Sequence, residues 1–206
     1  MPLVNVPLLN RTTSLPGDVR TFLSEARRRI DAFQQEARIP SFVPSDFEQV
    51  YAALAALADA SPVTGNLFCE WGSGFGVVAC MAAMLDFDAC GIEIEGELVD
   101  AAQSLADDFG LPVEFVHGSF IPAGFDPHAS GEEYAWLTTA RDSPGEEMEL
   151  APEDFDLIFA YPWPDEEYVT ENVFQRFART GALLVTYHGG DDFRLRRKRG
   201  HRHRRM

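Results

Sequence analysis

The central segment of the chain reads Asn66-Leu67-Phe68-Cys69-Glu70-Trp71-Gly72-Ser73-Gly74-Phe75-Gly76. Its apolar first half predicts a buried strand, and the apolar residues 77–85 that follow predict a helix. Alternating glycines between a strand and a helix let the backbone turn sharply and approach a ligand with no Cβ in between. The spacing is G-x-G-x-G, whereas the dinucleotide fingerprint G-x-G-x-x-G/A needs Gly or Ala where this chain has Val77.

The segments around this turn alternate between strand and helix patterns. After two helices, over 18–37 and from Phe47 with Ser45 as its N-cap, the pattern predicts strands over 66–70, 88–93, 113–117, 155–160 and 182–187, with helices over 77–85, 97–109 and 166–178. Repeated βα units predict an α/β fold, a Rossmann-like, doubly wound and mainly parallel sheet with helices on both faces. Ligands bind such sheets beyond the carboxyl ends of the strands. Residues 121–154 interrupt the alternation with a long acidic loop, typical of a functional or disordered segment.

Glu93 is the second signal for a ligand. It ends the second strand of the glycine-containing unit, in Gly91-Ile92-Glu93, 23 positions after Glu70. An acid at this place can accept hydrogen bonds from the hydroxyls of a ribose. Together, the glycine turn and the strand-terminal acid indicate an adenosine-containing ligand. The alternatives are a tight turn without a ligand and a surface acid, with Glu95 as the rival for the ribose.

In these motifs the sequence resembles the class I S-adenosylmethionine-dependent methyltransferases, from about Phe42 to His188. Residues 70–76 are similar to that family's first motif, E/D-x-G-x-G-x-G, and Glu93 is similar to its second-strand acid. Ser119 stands where the family often has an aspartate near the adenine amino group. The resemblance implies S-adenosyl-L-methionine as the cofactor, held by Glu70, Gly72, Ser73, Gly74, Gly76, Glu93 and Ser119.

The segment 155–164 resembles the family's fourth-strand motif, whose end faces the methyl acceptor. The resemblance implies that Tyr161, Pro162 and Trp163 line the acceptor site as the candidate catalytic residues. Members that methylate nucleobase amines commonly have [DN]-P-P-[YFW] here, which this chain lacks. Three acids at 165–167 follow. They could steer a basic substrate or take a proton, or they are ordinary first-turn partners of a helix dipole.

A narrower resemblance concerns the acceptor. Phe42-Val43-Pro44-Ser45 ahead of a helix, followed by the glycine motif, is similar to the seven-strand protein-lysine methyltransferases and implies a protein lysine as one candidate acceptor. The charge agrees with a cationic substrate. Residues 193–206 hold eight basic side chains and no acid, whereas the first 192 residues hold nine basic side chains and all 33 acids. Such an acidic body disfavours nucleic acid, so a basic protein or a small molecule is expected as acceptor.

Composition sets the remaining expectations. No apolar run reaches 18 residues, so no membrane span is expected. Three cysteines without a CxxC motif argue against a disulfide framework and a cysteine zinc site, and no metal site is expected. These features favour a cytoplasmic protein.

The predicted organisation is an N-terminal arm and helix over 1–40, a methyltransferase domain over 41–192 and a basic tail over 193–206. The family's sheet has two more strands after the fifth, but only 19 residues follow Tyr187, so a shortened sheet edge is expected, with 192–199 able to supply one strand. The expected function is an active methyltransferase. The alternatives are a methyltransferase-like binding or scaffold protein without turnover and a nicotinamide oxidoreductase, which Val77 opposes. The oligomeric state is left open.

Overall fold

The computed structural model describes residues 3–7, 14–36, 39, 42–60, 63–122, 124–126 and 150–200. The strands are β1 Leu3–Asn5, β2 Leu67–Trp71, β3 Asp88–Glu93, β4 Glu114–His117, β5 Leu157–Ala160, β6 Leu183–Tyr187 and β7 Phe193–Lys198. The helices are α1 Gly17–Glu36, α2 Phe47–Ala60, α3 Val77–Ala83, α4 Gly96–Asp108 and α5 Glu167–Phe177. The predicted strands and helices within these ranges are confirmed, and their ends agree within two residues.

The start of α2 differs from the sequence prediction in one detail. The carboxylate of Asp46, rather than the hydroxyl of Ser45, accepts hydrogen bonds from the N–H groups of Glu48 and Gln49, both at 3.2 Å. Asp46 directly precedes the first helical residue, so its short side chain reaches the free N–H groups of the first turn.

The seven strands form one sheet in the order β1-β7-β6-β5-β2-β3-β4. The five strands β2 to β6 are parallel, and β7 pairs antiparallel with both β6 and β1. The doubly wound, mainly parallel α/β fold is therefore confirmed.

The expected shortened sheet edge is wrong. Within the part of the chain that the structure describes, the C-terminal segment supplies β7 and the N-terminal arm adds β1 outside it, with Leu3 opposite Lys198 and Asn5 opposite Arg196. An uncovered β7 would present a row of unpaired backbone groups, and β1 satisfies them. The division at 40 and 192 stays a prediction, and its C-terminal boundary directly precedes β7. Residues 193–198 belong to the sheet, and the buried Lys198 ammonium donates to the carbonyl of Ala178.

The helices cover the two faces of the sheet unequally. Helices α1 to α4 pack on one face, against inward residues such as Phe68 and Phe159. Helix α5 packs on the other, against Cys69, Trp71 and Ile158. The side on which the helices lie therefore reverses between β2 and β5, and a ligand crevice is expected at such a switch point. Among the described residues, no helix is long and apolar enough to cross a membrane.

Candidate active site

A cavity of about 540 Å³ opens at the carboxyl ends of β2, β3 and β5, in the size range of small-molecule and cofactor sites. Its walls are the glycine loop 72–75, the segment 42–45 before α2, the turn after β3, residues 118–121 after β4 and residues 160–164 after β5. This is the switch point of the sheet. The predicted ligand site and the predicted acceptor segment therefore share one cavity.

The glycine loop needs its glycines for two different reasons. Gly72 has φ +69°, and a Cβ placed there would meet nothing within 4 Å, so its Cα faces open cavity. Gly74 has φ +53°, and a Cβ there would lie 2.7 Å from the Phe42 ring. The loop is anchored to β3 because the N–H groups of Gly72 and Ser73 both donate to the carbonyl of Ile92, at 2.9 and 3.0 Å.

Gly76 differs from the other predicted loop residues because it does not line the cavity. It begins helix α3 with φ +71°, and a Cβ there would lie 2.4 Å from the Phe115 ring and 2.8 Å from the methyl of Ala102. Its glycine is therefore required by the packing of α3 against β4 and α4. The cofactor contact that the resemblance implies for Gly76 stays a prediction.

Glu70 lies at the floor of the cavity. Its side chain is buried, and one carboxylate oxygen accepts a hydrogen bond from the Ala79 N–H in the first turns of α3, at 2.8 Å. Burial raises its pKa well above the ordinary glutamate value, and the negative charge of Glu93 raises it further, against the opposing effect of the Ala79 N–H. Glu70 thus fixes the turn between strand β2 and helix α3, and its carboxyl group forms part of the cavity floor.

Glu93 holds the two sides of the cavity together. One of its carboxylate oxygens accepts from the Gly74 N–H at 2.7 Å, and the other accepts from the N–H groups of Ile94 and Glu95 at 2.7 and 3.0 Å. Burial raises the pKa of Glu93, and these three donors oppose the rise. A carboxylate accepts about four hydrogen bonds, so the side chain retains capacity for a further donor.

Two serines line the cavity at the predicted positions. The Ser73 hydroxyl is buried and has no hydrogen-bond partner among the described residues, an arrangement that native proteins rarely leave uncompensated. The Ser119 hydroxyl is buried as well and accepts from the Ile121 N–H at 3.1 Å, which shapes the turn after β4.

The predicted acceptor residues follow β5 at the other end of the cavity. Tyr161, Pro162 and Trp163 all line it, and Tyr161 is 37% exposed. The Tyr161 ring packs on Tyr187 with 4.8 Å between centroids. Tyr187 is in turn hydrogen-bonded to the backbone of Asp46 and Gly190, so the acceptor segment is tied to the loop before α2.

The two described histidines do not line the cavity. His117 is exposed and its Nε2 donates to the carbonyl of Ile94 at 2.9 Å. His188 lies outside the cavity, with Nε2 2.8 Å from the Thr186 hydroxyl and Nδ1 3.5 Å from Glu167. Most of the acidic loop, residues 127–149, and the histidines at 201 and 203 lie outside the described residues.

The sequence interpretation missed the aromatic wall of the cavity. Trp71, the variable residue of the first motif, stacks on Phe120 with 5.0 Å between centroids and 12° between planes. Strand alternation offered a signal, because Trp71 lies two positions after Cys69 and so faces the α5 side of the sheet. Its partner Phe120 comes from a turn after β4, and no local pattern identifies such a contact.

The acidic residues that line the cavity are Glu70, Glu93, Glu95 and Glu166, and none of the described lining residues is Lys, Arg or His. Such a wall favours a cationic ligand and opposes a multiply anionic one.

The comparisons with known proteins bear on the fold. No family model matches the chain, and no curated protein matches it. Among solved structures, a methyltransferase from Geobacter sulfurreducens aligns with a TM-score of 0.56 and 17% identity, over 90% of this chain and 92% of that one. An RNA methyltransferase from Salinibacter ruber in complex with S-adenosyl-L-homocysteine aligns with a TM-score of 0.51 and 17% identity, over 76% and 92%. An O-methyltransferase from Bacillus cereus in complex with S-adenosyl-L-homocysteine aligns with a TM-score of 0.51 and 14% identity, over 85% and 67%.

These likenesses, at such low identity, concern the fold. The chain has the seven-strand, Rossmann-like fold of the class I S-adenosylmethionine-dependent methyltransferases.

Proposed function

We propose that the protein is an S-adenosyl-L-methionine-dependent methyltransferase. The observation that carries the proposal is the cavity at the sheet's switch point, which joins a glycine loop, a strand-terminal acid and the acceptor segment. Its described lining includes four glutamates and no basic residue. Neighbours of this fold that hold S-adenosyl-L-homocysteine support the same cofactor class.

The residues present fit this cofactor. Gly72 has no side chain, so the cavity space beside its Cα is free for a ligand. The buried Ser73 hydroxyl, which has no hydrogen-bond partner among the described residues, can bond to a polar group of that ligand. Glu93 has capacity for a ribose hydroxyl beside its three backbone donors. We assign Glu70, Gly72, Ser73 and Gly74 to the methionyl side, Glu93 to the ribose and Ser119 to the adenine.

The charge of the cavity also favours this cofactor over a nicotinamide dinucleotide. S-adenosyl-L-methionine carries a sulfonium cation, whereas the pyrophosphate of a dinucleotide carries two negative charges. Four acids and no described base in the walls stabilise the former and repel the latter. This adds to the mismatch of Val77 with the dinucleotide fingerprint.

In the proposed reaction the protein mainly positions groups and excludes water. When bound, the cofactor supplies a methyl group that its sulfonium already makes electrophilic. The loop 72–74 and Glu93 orient that methyl toward the segment 161–163. Tyr161 and Trp163 present aromatic faces there, which attract a cation by about 1–2 kcal/mol when it is desolvated.

As the specific acceptor we propose a protein lysine, which the acidic composition of the first 192 residues supports. A small-molecule amine fits the same charge. We also place the protein in a reducing compartment, the cytoplasm, because its three cysteines are free and buried.

The proposal is tested by incubating the protein with methyl-tritiated S-adenosyl-L-methionine and two acceptor pools, a lysine-rich polypeptide and a mixture of small amines. We expect transfer of label to one pool and its loss in Trp163→Ala. Binding of the cofactor without transfer to any acceptor would instead favour the scaffold alternative without turnover.

A further inference from the structure

His117 ends strand β4 and lies directly opposite Glu93 in the register of the sheet. Its side chain is exposed and does not line the cavity. It nevertheless has a fixed partner, because its Nε2 atom donates a hydrogen bond to the carbonyl of Ile94 at 2.9 Å. The ring also lies 3.5 Å from the place that a Cβ of Gly96, the first residue of α4, would occupy. His117 is therefore held against the turn that joins β3 to α4.

The same turn holds the carboxylate of Glu93. One carboxylate oxygen accepts from the N–H groups of Ile94 and Glu95 at 2.7 and 3.0 Å, and the other accepts from the Gly74 N–H at 2.7 Å. Hydrogen bonds from backbone N–H groups to a carboxylate are charge-assisted and strong. Two of the three bonds that fix Glu93 in the cavity wall therefore depend on how the peptide groups of the turn are oriented.

The end of β4 fixes those peptide groups from the opposite side. The carbonyl of Ile94, which accepts from His117, belongs to the same planar peptide unit as the N–H of Glu95, which donates to Glu93. The preceding peptide unit is held in the same way, because the carbonyl of Glu93 accepts from the Gly118 N–H at 2.8 Å. A planar trans unit cannot turn its carbonyl without turning its N–H, so each bond to β4 also orients a donor to the carboxylate.

We propose that His117 is a positioning residue of the cofactor site, which acts by fixing the peptide unit between Ile94 and Glu95 and through it the carboxylate of Glu93. The inference rests on the proposed function and adds a residue outside the cavity to its machinery. When the ring donor is lost, the Ile94 carbonyl is free to turn to solvent, and the Glu95 N–H turns away from Glu93 with it. Glu93 then holds its place in the wall with one strong donor fewer.

The first test measures the affinity for S-adenosyl-L-homocysteine by isothermal titration calorimetry. His117→Phe keeps an aromatic ring and removes the donor, whereas His117→Gln puts an amide donor at about the place of Nε2. We expect His117→Phe to weaken binding about 2- to 12-fold, the equivalent of one hydrogen bond, and His117→Gln to restore the native affinity. The matched control is Glu114→Gln, at the exposed start of the same strand, which should bind as the native protein does.

The second test shows whether His117 acts through Glu93. In a Glu93→Ala protein the carboxylate that the turn holds is absent, so adding His117→Phe should leave the affinity unchanged. An equal loss in the native and the Glu93→Ala backgrounds would overturn the inference, because the histidine would then act on the fold as a whole. Native affinity in His117→Phe, or equal losses in His117→Phe and His117→Gln, would overturn it as well.

A measurement on the native protein needs no variant. Nitrogen NMR shifts of the His117 ring report which nitrogen carries the proton in the neutral side chain. We expect the proton on Nε2, and a proton on Nδ1 would remove the donor and overturn the inference. Failure of the native protein to bind S-adenosyl-L-homocysteine, measured first, would overturn the proposed function and this inference with it, whereas native binding with any of the contrary results above overturns the inference alone.

Discussion

Replacing Gly72 with alanine separates the stability of the fold from binding at the site. Gly72 has φ +69° and faces open cavity, so the added methyl meets no protein atom within 4 Å. The left-handed conformation costs an alanine about 1–2 kcal/mol, which lowers the Tm of a chain of this size by about 2–8 °C. In the bound state the methyl occupies ligand space, and overpacking of this kind costs about 1–3 kcal/mol. The affinity for S-adenosyl-L-methionine should therefore fall about 5- to 150-fold.

The control for this prediction is Gly110→Ala. Gly110 also has positive φ, at +62°, and open space at its Cβ position, but it follows α4 and does not line the cavity. Both variants should lose similar stability by differential scanning calorimetry, whereas only Gly72→Ala should lose affinity by isothermal titration calorimetry. Native affinity in a folded Gly72→Ala protein would refute the placement of the ligand against this loop.

Three further predictions concern the acids and the sheet edge. Glu93→Ala should weaken cofactor binding by about 1–3 kcal/mol by calorimetry, with Glu97→Ala, an exposed acid of α4, as the unchanged control. Burial raises the pKa of Glu93, so on acidification the affinity for the cofactor should already begin to fall at a pH above 4.5. In the free protein the same raised pKa contributes stability that is present below pH 4.5 and is lost as the pH rises through the raised value. A pH series of affinities and unfolding curves should show both trends, and Glu93→Gln should show neither. Deleting residues 1–7 uncovers β7 and should reduce the free energy of unfolding by about 2–4 kcal/mol in urea titrations, and an unchanged midpoint would contradict the edge role of β1.

The local patterns of the chain predicted most of the fold. Hydrophobic periodicity and glycine turns place β2 to β6 and their helices, because each unit is short and its signals are contiguous in sequence. The edge strand β1 was missed because three residues, Leu3 to Asn5, carry no periodic signal of their own. Their strand conformation depends on pairing with residues 196–198, almost the whole chain length away.

The site was predictable to the extent that motifs encode it. Of the cofactor candidates, all but Gly76 line the cavity, and the three acceptor candidates do so as well. The sequence alone does not reveal why Gly76 is a glycine, because a required glycine looks the same whether a ligand or a neighbouring ring excludes its Cβ. Here the ring of Phe115, from β4, is the reason.

The sequence could not show which of the three acids 165–167 is buried in the cavity wall. Asp165, Glu166 and Glu167 are consecutive acids, and each fits a first helical turn equally well by composition. Only the turn between Trp163 and α5 brings Glu166 into the cavity wall. The position of Phe42 could not be predicted from local sequence either, because its ring packs against the glycine loop from a segment that precedes α2.

The central claim is that this cavity binds a cationic sulfur nucleotide and donates its methyl group. Calorimetric titration of the purified protein with S-adenosyl-L-methionine, S-adenosyl-L-homocysteine and NAD tests it most directly. We expect both sulfur nucleotides to bind and NAD not to bind, because the glycine loop fits the former and the acidic walls repel the pyrophosphate of the latter. If neither sulfur nucleotide binds to the folded protein, or if NAD binds in their place, the proposed cofactor is contradicted.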